Sequence, residues 1–109
     1  MKTNSFQLFK TMYLLLDGVW EQNQEEDLRI YLSDADPIFY ENGHSLDPVV
    51  FEDFDMLYEK MQNSGMSDYD FLVYYLDNLD SYYGDIKKYF LSIDRNKLEA
   101  TLTKLDVNK

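Results

Sequence analysis

Apolar residues return along most of this chain every three or four positions, the spacing of one α-helical face. Phe6, Phe9, Tyr13, Leu16 and Trp20 form a first stripe, with Met12, Leu15 and Val19 beside it. This predicts a helix capped at Asn4 or Ser5 and running to about Trp20, broad enough in its apolar surface to sit centrally. Residues 25–33 read as a second, short helix whose acidic first turn suits the helix dipole. Asp47 followed by Pro48 is a helix start, and Val50, Phe54, Leu57 and Met61 predict a third helix from Pro48 to about Asn63.

Gly65 ends that helix, and Ser67 with Asp70 three positions on opens a fourth. Leu72, Tyr75, Leu76, Leu79 and Tyr83 make its inward stripe, so the pattern predicts one continuous helix closed by Gly84. Its other face would collect Asp70, Tyr74, Asp77, Asn78 and Ser81, with Asp80 at the edge. A fifth helix is expected over roughly 86–93, with Ile86, Tyr89, Phe90 and Ile93 on one side. Asp94 caps a last helix through about Leu105, with Leu98, Leu102 and Leu105 inward. No alternating run bounded by hairpin turns predicts a strand pair. The fold class expected is all-α, a compact single domain of five to six helices over residues 1–109.

One segment breaks the pattern. Residues 34–47 are punctuated by Pro37, Asn42-Gly43 and Asp47-Pro48 and are expected to be irregular. Irregular segments of this length in small domains are often functional. Phe39 is expected to anchor this one in the core.

Charge changes the picture most. Residues 25–80 hold fifteen Asp/Glu against Arg29 and Lys60 alone, in a chain of net charge −11. Residues 1–24 balance at zero, and residues 81–109 carry a slight positive excess. An acidic block of this kind repels nucleic acid and anionic lipid and attracts basic protein surfaces. Aromatics make up 17% of the chain, which argues for a packed core rather than disorder. With no cysteine there is no disulfide, zinc-thiolate site or thiol nucleophile, a composition that fits the cytoplasm. The apolar run Met12–Leu16 is cut by Asp17, and no small-x-small site follows, so the N-terminus reads as a helix of the mature protein. No stretch reaches the roughly 18 apolar residues of a membrane span.

A search for catalytic or metal chemistry returns little. An EF-hand loop starting at Asp34 would place Ile38, Phe39 and Ser45 where an oxygen ligand, a glycine and a bidentate Glu are needed. Asp53 with Asp55, and Asp68 with Asp70, fail similarly. The single histidine, His44, sits in the irregular loop with no nucleophile beside it in sequence. No phosphate loop, dinucleotide fingerprint or hydrolase elbow is present. Lys87, Lys88, Arg95, Lys97 and Lys104 are interrupted by acids and do not form the stripe that nucleic acid requires. The chain is therefore expected to be no enzyme, to need no cofactor or metal, and to bind no nucleic acid directly.

Two groups remain as candidate contact residues. The first is the tyrosine pairs, Tyr74-Tyr75 and Tyr82-Tyr83, among Asp70, Asp77 and Asp80. In each pair one ring can point inward while the other faces out. An exposed tyrosine offers rigid apolar contact, and neighbouring carboxylates meet Lys or Arg. The second is the irregular segment and the helix start after it, which supply Asp34, Asp36, Glu41, Asp47, Glu52, Asp53 and Asp55, with Phe39 and Tyr40 between.

The stretch LSDADPIFYENGHSLDPVVFEDF, 23 of the 109 residues, resembles a pattern of small acidic bacterial proteins. Its skeleton is Ser33-Asp34-Ala35-Asp36-Pro37, then Ser45-Leu46-Asp47-Pro48, then Glu52-Asp53-Phe54. Some such proteins resemble immunity proteins of bacterial toxin systems. Tyr74-Tyr75 beside Asp70 and Asp77 is also similar in chemistry to the toxin-binding surface of nuclease-colicin immunity proteins. That family has a proline directly after its tyrosine pair, where this chain has Leu76 inside a longer expected helix. The likeness implies shared physics and carries over no residue roles.

The function expected is a non-enzymatic cytosolic module that covers a basic protein partner, most specifically an immunity protein neutralising a toxin nuclease. The alternatives are a DNA-mimicking regulator, which needs carboxylates spaced like phosphates, and a small regulatory or scaffold domain, with a homodimer possible.

Overall fold

The structure, a computed structural model, describes residues 4–37 and 45–107, with side chains through residue 104. Among the described residues there are six α-helices, one 3₁₀ turn and no strand. They run α1 (Ser5–Asn23), α2 (Glu26–Ala35), α3 (Pro48–Met61), α4 (Asp68–Asp77), the 3₁₀ turn (Ser81–Tyr83), α5 (Lys87–Leu91) and α6 (Arg95–Val107). The all-α reading holds, and a radius of gyration of 13.0 Å is that of one packed body of this length.

The caps read from sequence form as hydrogen bonds. Asn4 accepts from the Gln7 amide, Asp47 from Val49, Ser67 from Asp70 and Asp94 from Asn96. α1 packs against α2, α3, α5 and α6, the central place its broad apolar surface predicts. Leu8, Phe9, Met12, Tyr13 and Leu16 are buried, while Phe6 and Trp20 are half-buried. The helix runs three residues beyond Trp20 and closes on Gln24, which turns left-handed at φ 52° and returns its amide to the Trp20 carbonyl at 2.7 Å. α2 extends to Ala35, α3 stops at Met61 and α5 is shorter than expected.

The expected continuous helix from 68 to Gly84 is corrected. α4 ends at Asp77. The Asn78 side-chain amide donates to the Tyr74 carbonyl at 2.8 Å, the acceptor its own backbone amide would use if the helix continued. That backbone amide bonds Tyr75 instead, one residue short, which tightens the last turn. Asp80 then caps the 3₁₀ turn by accepting from the Tyr82 amide at 2.8 Å. Leu79 and Tyr83 still turn inward, which is why the stripe read as one helix. Asp80 therefore does not continue a row from Asp70 and Asp77.

The irregular segment is pinned at both ends. The Leu46 amide donates to the Asp36 carbonyl and the Asp47 amide to the Asp34 carbonyl, each at 2.9 Å. Ser45 is fully buried. Its hydroxyl donates to the Asp47 carbonyl and accepts from the Phe51 amide. We expect Ser45→Ala to cost about 1–2 kcal/mol, because it strips a buried partner from both groups. Urea unfolding monitored by circular dichroism would read this loss, and an unchanged midpoint would contradict it. Phe39 and His44 lie outside the described residues.

Candidate functional site

The segment closure and the early end of α4 together open a groove of about 700 Å³. α3 contributes Val49, Val50, Asp53, Met56, Leu57 and Lys60. The end of α4 and the turn after it add Tyr75, Asn78, Leu79 and Asp80. Tyr82, Tyr83, Asp34 and Asp47 complete the lining. Four carboxylates thus face one ammonium. Val49, Met56 and Tyr82 are among the most exposed large apolar side chains described, at 56%, 70% and 73%. Exposed apolar atoms rimmed by charge are a mark of interaction surfaces.

Beneath the groove lies a tyrosine cluster. The Tyr31 and Tyr75 hydroxyls share a hydrogen bond of 2.9 Å in the core. Tyr31 meets Tyr83 edge to face at 5.2 Å, and Tyr83 meets Tyr82 in the same way at 5.2 Å. The Tyr83 hydroxyl donates to Asp34 at 2.8 Å. Burial is the main cause that pushes Tyr31, Tyr75 and Tyr83 well above the usual phenol range; for Tyr83 the bond to Asp34 and the charges of Asp34 and Asp47 add to it. Asp53 acts in the same direction on Tyr75.

Three of the four acids are held by structural duties. Asp34 holds Tyr83, Asp47 caps α3 and Asp80 caps the 3₁₀ turn. Each of these bonds uses one carboxylate oxygen, and an ionised carboxylate has about four lone-pair sites. The groove's charge is thus fixed in place before any partner arrives, which lowers the ordering cost of binding.

Of the residues singled out by sequence, Asp34, Asp47, Asp53, Tyr75, Asp80, Tyr82 and Tyr83 come together here. The others do not line the groove. Asp77 accepts from Lys87 at 2.6 Å in a surface pair. Asp70 is exposed in the first turn of α4, where it adds to the negative field on Arg95. Tyr74 is half-buried and Glu52 exposed. Asp36 is half-buried after α2, where its charge, second to burial, helps raise Tyr13 to about 12. Tyr40 and Glu41 lie outside the described residues. Tyr82 is exposed and Tyr83 half-buried against the core, as the inward–outward reading expects; in the other pair Tyr75 is buried but Tyr74 is half-buried rather than facing fully out.

Sequence reasoning missed Val49, Met56 and Lys60. No local signal marked Val49 and Met56: they stand seven residues apart, off the stripe of Val50, Phe54 and Leu57, but so do Phe51 and Tyr58, which are buried. A second cleft of about 590 Å³ lies between α1 and the start of α6, past Leu14 and Ile93. Its one acid, Asp94, faces one base, Lys97, so it has no charge bias. Among the described residues no cluster of three potential ligands could hold a metal ion, and no helix is long and apolar enough to cross a membrane.

The fold and groove define an all-α domain with an acidic, partly apolar cleft. Comparison with protein-family models, curated proteins and solved structures returned no match.

Proposed function

We propose that this chain is a non-enzymatic protein-binding module that covers a basic protein surface, in its most specific form an immunity protein that neutralises a basic toxin nuclease in the cytoplasm. The observation that carries this reading is the groove, where four carboxylates share the lining with the exposed Val49, Met56 and Tyr82. A nuclease cleft is basic because it holds phosphates. An acidic surface with an apolar centre competes for that cleft, and the charge of the whole chain steers the encounter. The DNA-mimic alternative gains nothing from α4, because the helix ends before Asp80 can extend a row of carboxylates.

The test is capture by the tagged protein from its native cell lysate at low and high salt. A basic nuclease recovered stoichiometrically, released by salt and inhibited in the complex is the expected result. Recovery of the protein alone from a lysate known to contain the toxin would overturn the reading.

A further inference from the structure

The groove's chemistry is more specific than negative charge. Asp34 is bonded to the Tyr83 hydroxyl, and Asp47 and Asp53 share the groove lining with Tyr75 and Tyr83. Among the described residues these acids do not close to the spacing of a metal site. A planar cation with several donors spans a wider set of carboxylates and stacks on an exposed aromatic ring, which Tyr82 supplies. The molecule uses this combination on its own surface, where the Arg95 guanidinium lies 4.2 Å from the centre of the Tyr69 ring and bonds Glu99 at 3.0 Å.

Resting on the protein-binding reading above, we propose that the groove is a receptor for an arginine-bearing apolar segment of the partner protein. The guanidinium meets Asp34 and Asp53, and the arginine stem and its apolar neighbour cover Val49, Met56 and Tyr82. Lysine fits less well, because its ammonium is a compact, strongly hydrated charge that neither forks across carboxylates nor stacks on a ring as well. A second copy of this chain is a poor occupant. At net charge −11 two copies repel each other, and both arginines of the chain, Arg29 and Arg95, are paired with Glu26 and Glu99 on their own helices.

The probe is the blocked peptide acetyl-Leu-Arg-Leu-amide, titrated into the full chain with backbone amide shifts recorded by NMR. Lysine and citrulline versions are the comparisons. Expected are shifts centred on Val49, Asp53, Met56 and Tyr82, with arginine binding tightest and neutral citrulline weakest. Asp53→Asn and Met56→Ser, both at exposed positions, each weaken the arginine peptide by about tenfold with the spectrum otherwise unchanged. Shifts spread over the acidic surface, equal binding of the citrulline peptide, or self-association abolished by Met56→Ser would each overturn the proposal. A captured nuclease indifferent to Asp53→Asn would overturn it while leaving the neutraliser reading intact. Groove binding of the peptide by a protein that inhibits no nuclease would do the reverse.

Discussion

Phe54→Ala is expected to destabilise the protein by about 3–5 kcal/mol, the range for truncating a fully buried phenylalanine. Phe54 has no exposed surface and joins three helices. Its ring meets Phe9 of α1 at 5.1 Å, Phe71 of α4 at 5.3 Å and Tyr75 of α4 at 4.7 Å, all edge to face. It also stacks on Phe51 of its own helix. Truncation removes the apolar burial and leaves a cavity walled by rigid rings, which collapse poorly into it. Domains of this size hold about 5–15 kcal/mol in all, so the loss is a large share of the total. The melting temperature should fall by roughly 15–30 °C in a calorimetric scan. A fall of only a few degrees would mean that Phe54 is not the hub between α1, α3 and α4. Because Tyr75 is both a neighbour of Phe54 and part of the groove floor, the same substitution should loosen the candidate site.

Alkaline unfolding is expected next in size. Tyr31 and Tyr75 are buried and bonded to each other, and burial is the main cause that raises both above the ordinary value of about 10. Tyr89 is raised as well, by burial first and then by its bond to Asp27. Between about pH 10 and the higher folded values, the unfolded chain loses these protons while the folded chain keeps them. Stability from these groups is therefore fully present below about pH 10 and falls as pH rises beyond it. Each buried tyrosine removes about 1.4 kcal/mol per pH unit in that window, so Tyr31 and Tyr75 together remove about 3. Urea midpoints measured at rising pH should stay level to about pH 10 and then drop steeply. The double variant Tyr31→Phe, Tyr75→Phe replaces both partners and should flatten the drop at small cost at neutral pH. A midpoint that holds steady far above pH 10 in the parent protein would contradict the account.

Local chemistry made much of the fold legible. Asp47-Pro48, Ser67 and Asp94 cap helices through their own side chains, so no distant contact is needed to read them. The end of α4 was hidden because Leu79 and Tyr83 keep a helical spacing across the break and no glycine or proline interrupts residues 68–83. Asn78 and Asp80 make that break through their side chains; both types favour turns and caps, but neither stops a helix as glycine or proline does. In α3, Phe51 and Tyr58 are buried alongside Val50 and Phe54, so two neighbouring registers face inward. One stripe could not show which of the remaining apolar residues stay exposed. Val49 and Met56 became readable as a surface only once the 3₁₀ turn and the closed segment stood beside them. Asp34, Asp53, Asp80 and Tyr82 were visible as acidic or aromatic residues, but their convergence depends on contacts from residue 34 to residue 83 that no local pattern encodes.

The most direct test of the central claim, that the groove binds a basic partner, is lysate capture with two charge-reversed variants in parallel. One carries Asp53→Lys and Met56→Lys in the groove. The other carries Asp70→Lys and Asp77→Lys, which lie outside it. All four positions are exposed, so both variants should keep the parent's circular dichroism spectrum, with small losses for surface changes and for the Asp77–Lys87 pair. The predicted result is that the groove variant loses the basic partner at a salt concentration where the parent and the second variant retain it. Retention by the groove variant at parental strength, with the partner lost from the second variant instead, would contradict the account and move the binding surface to the outer face of α4.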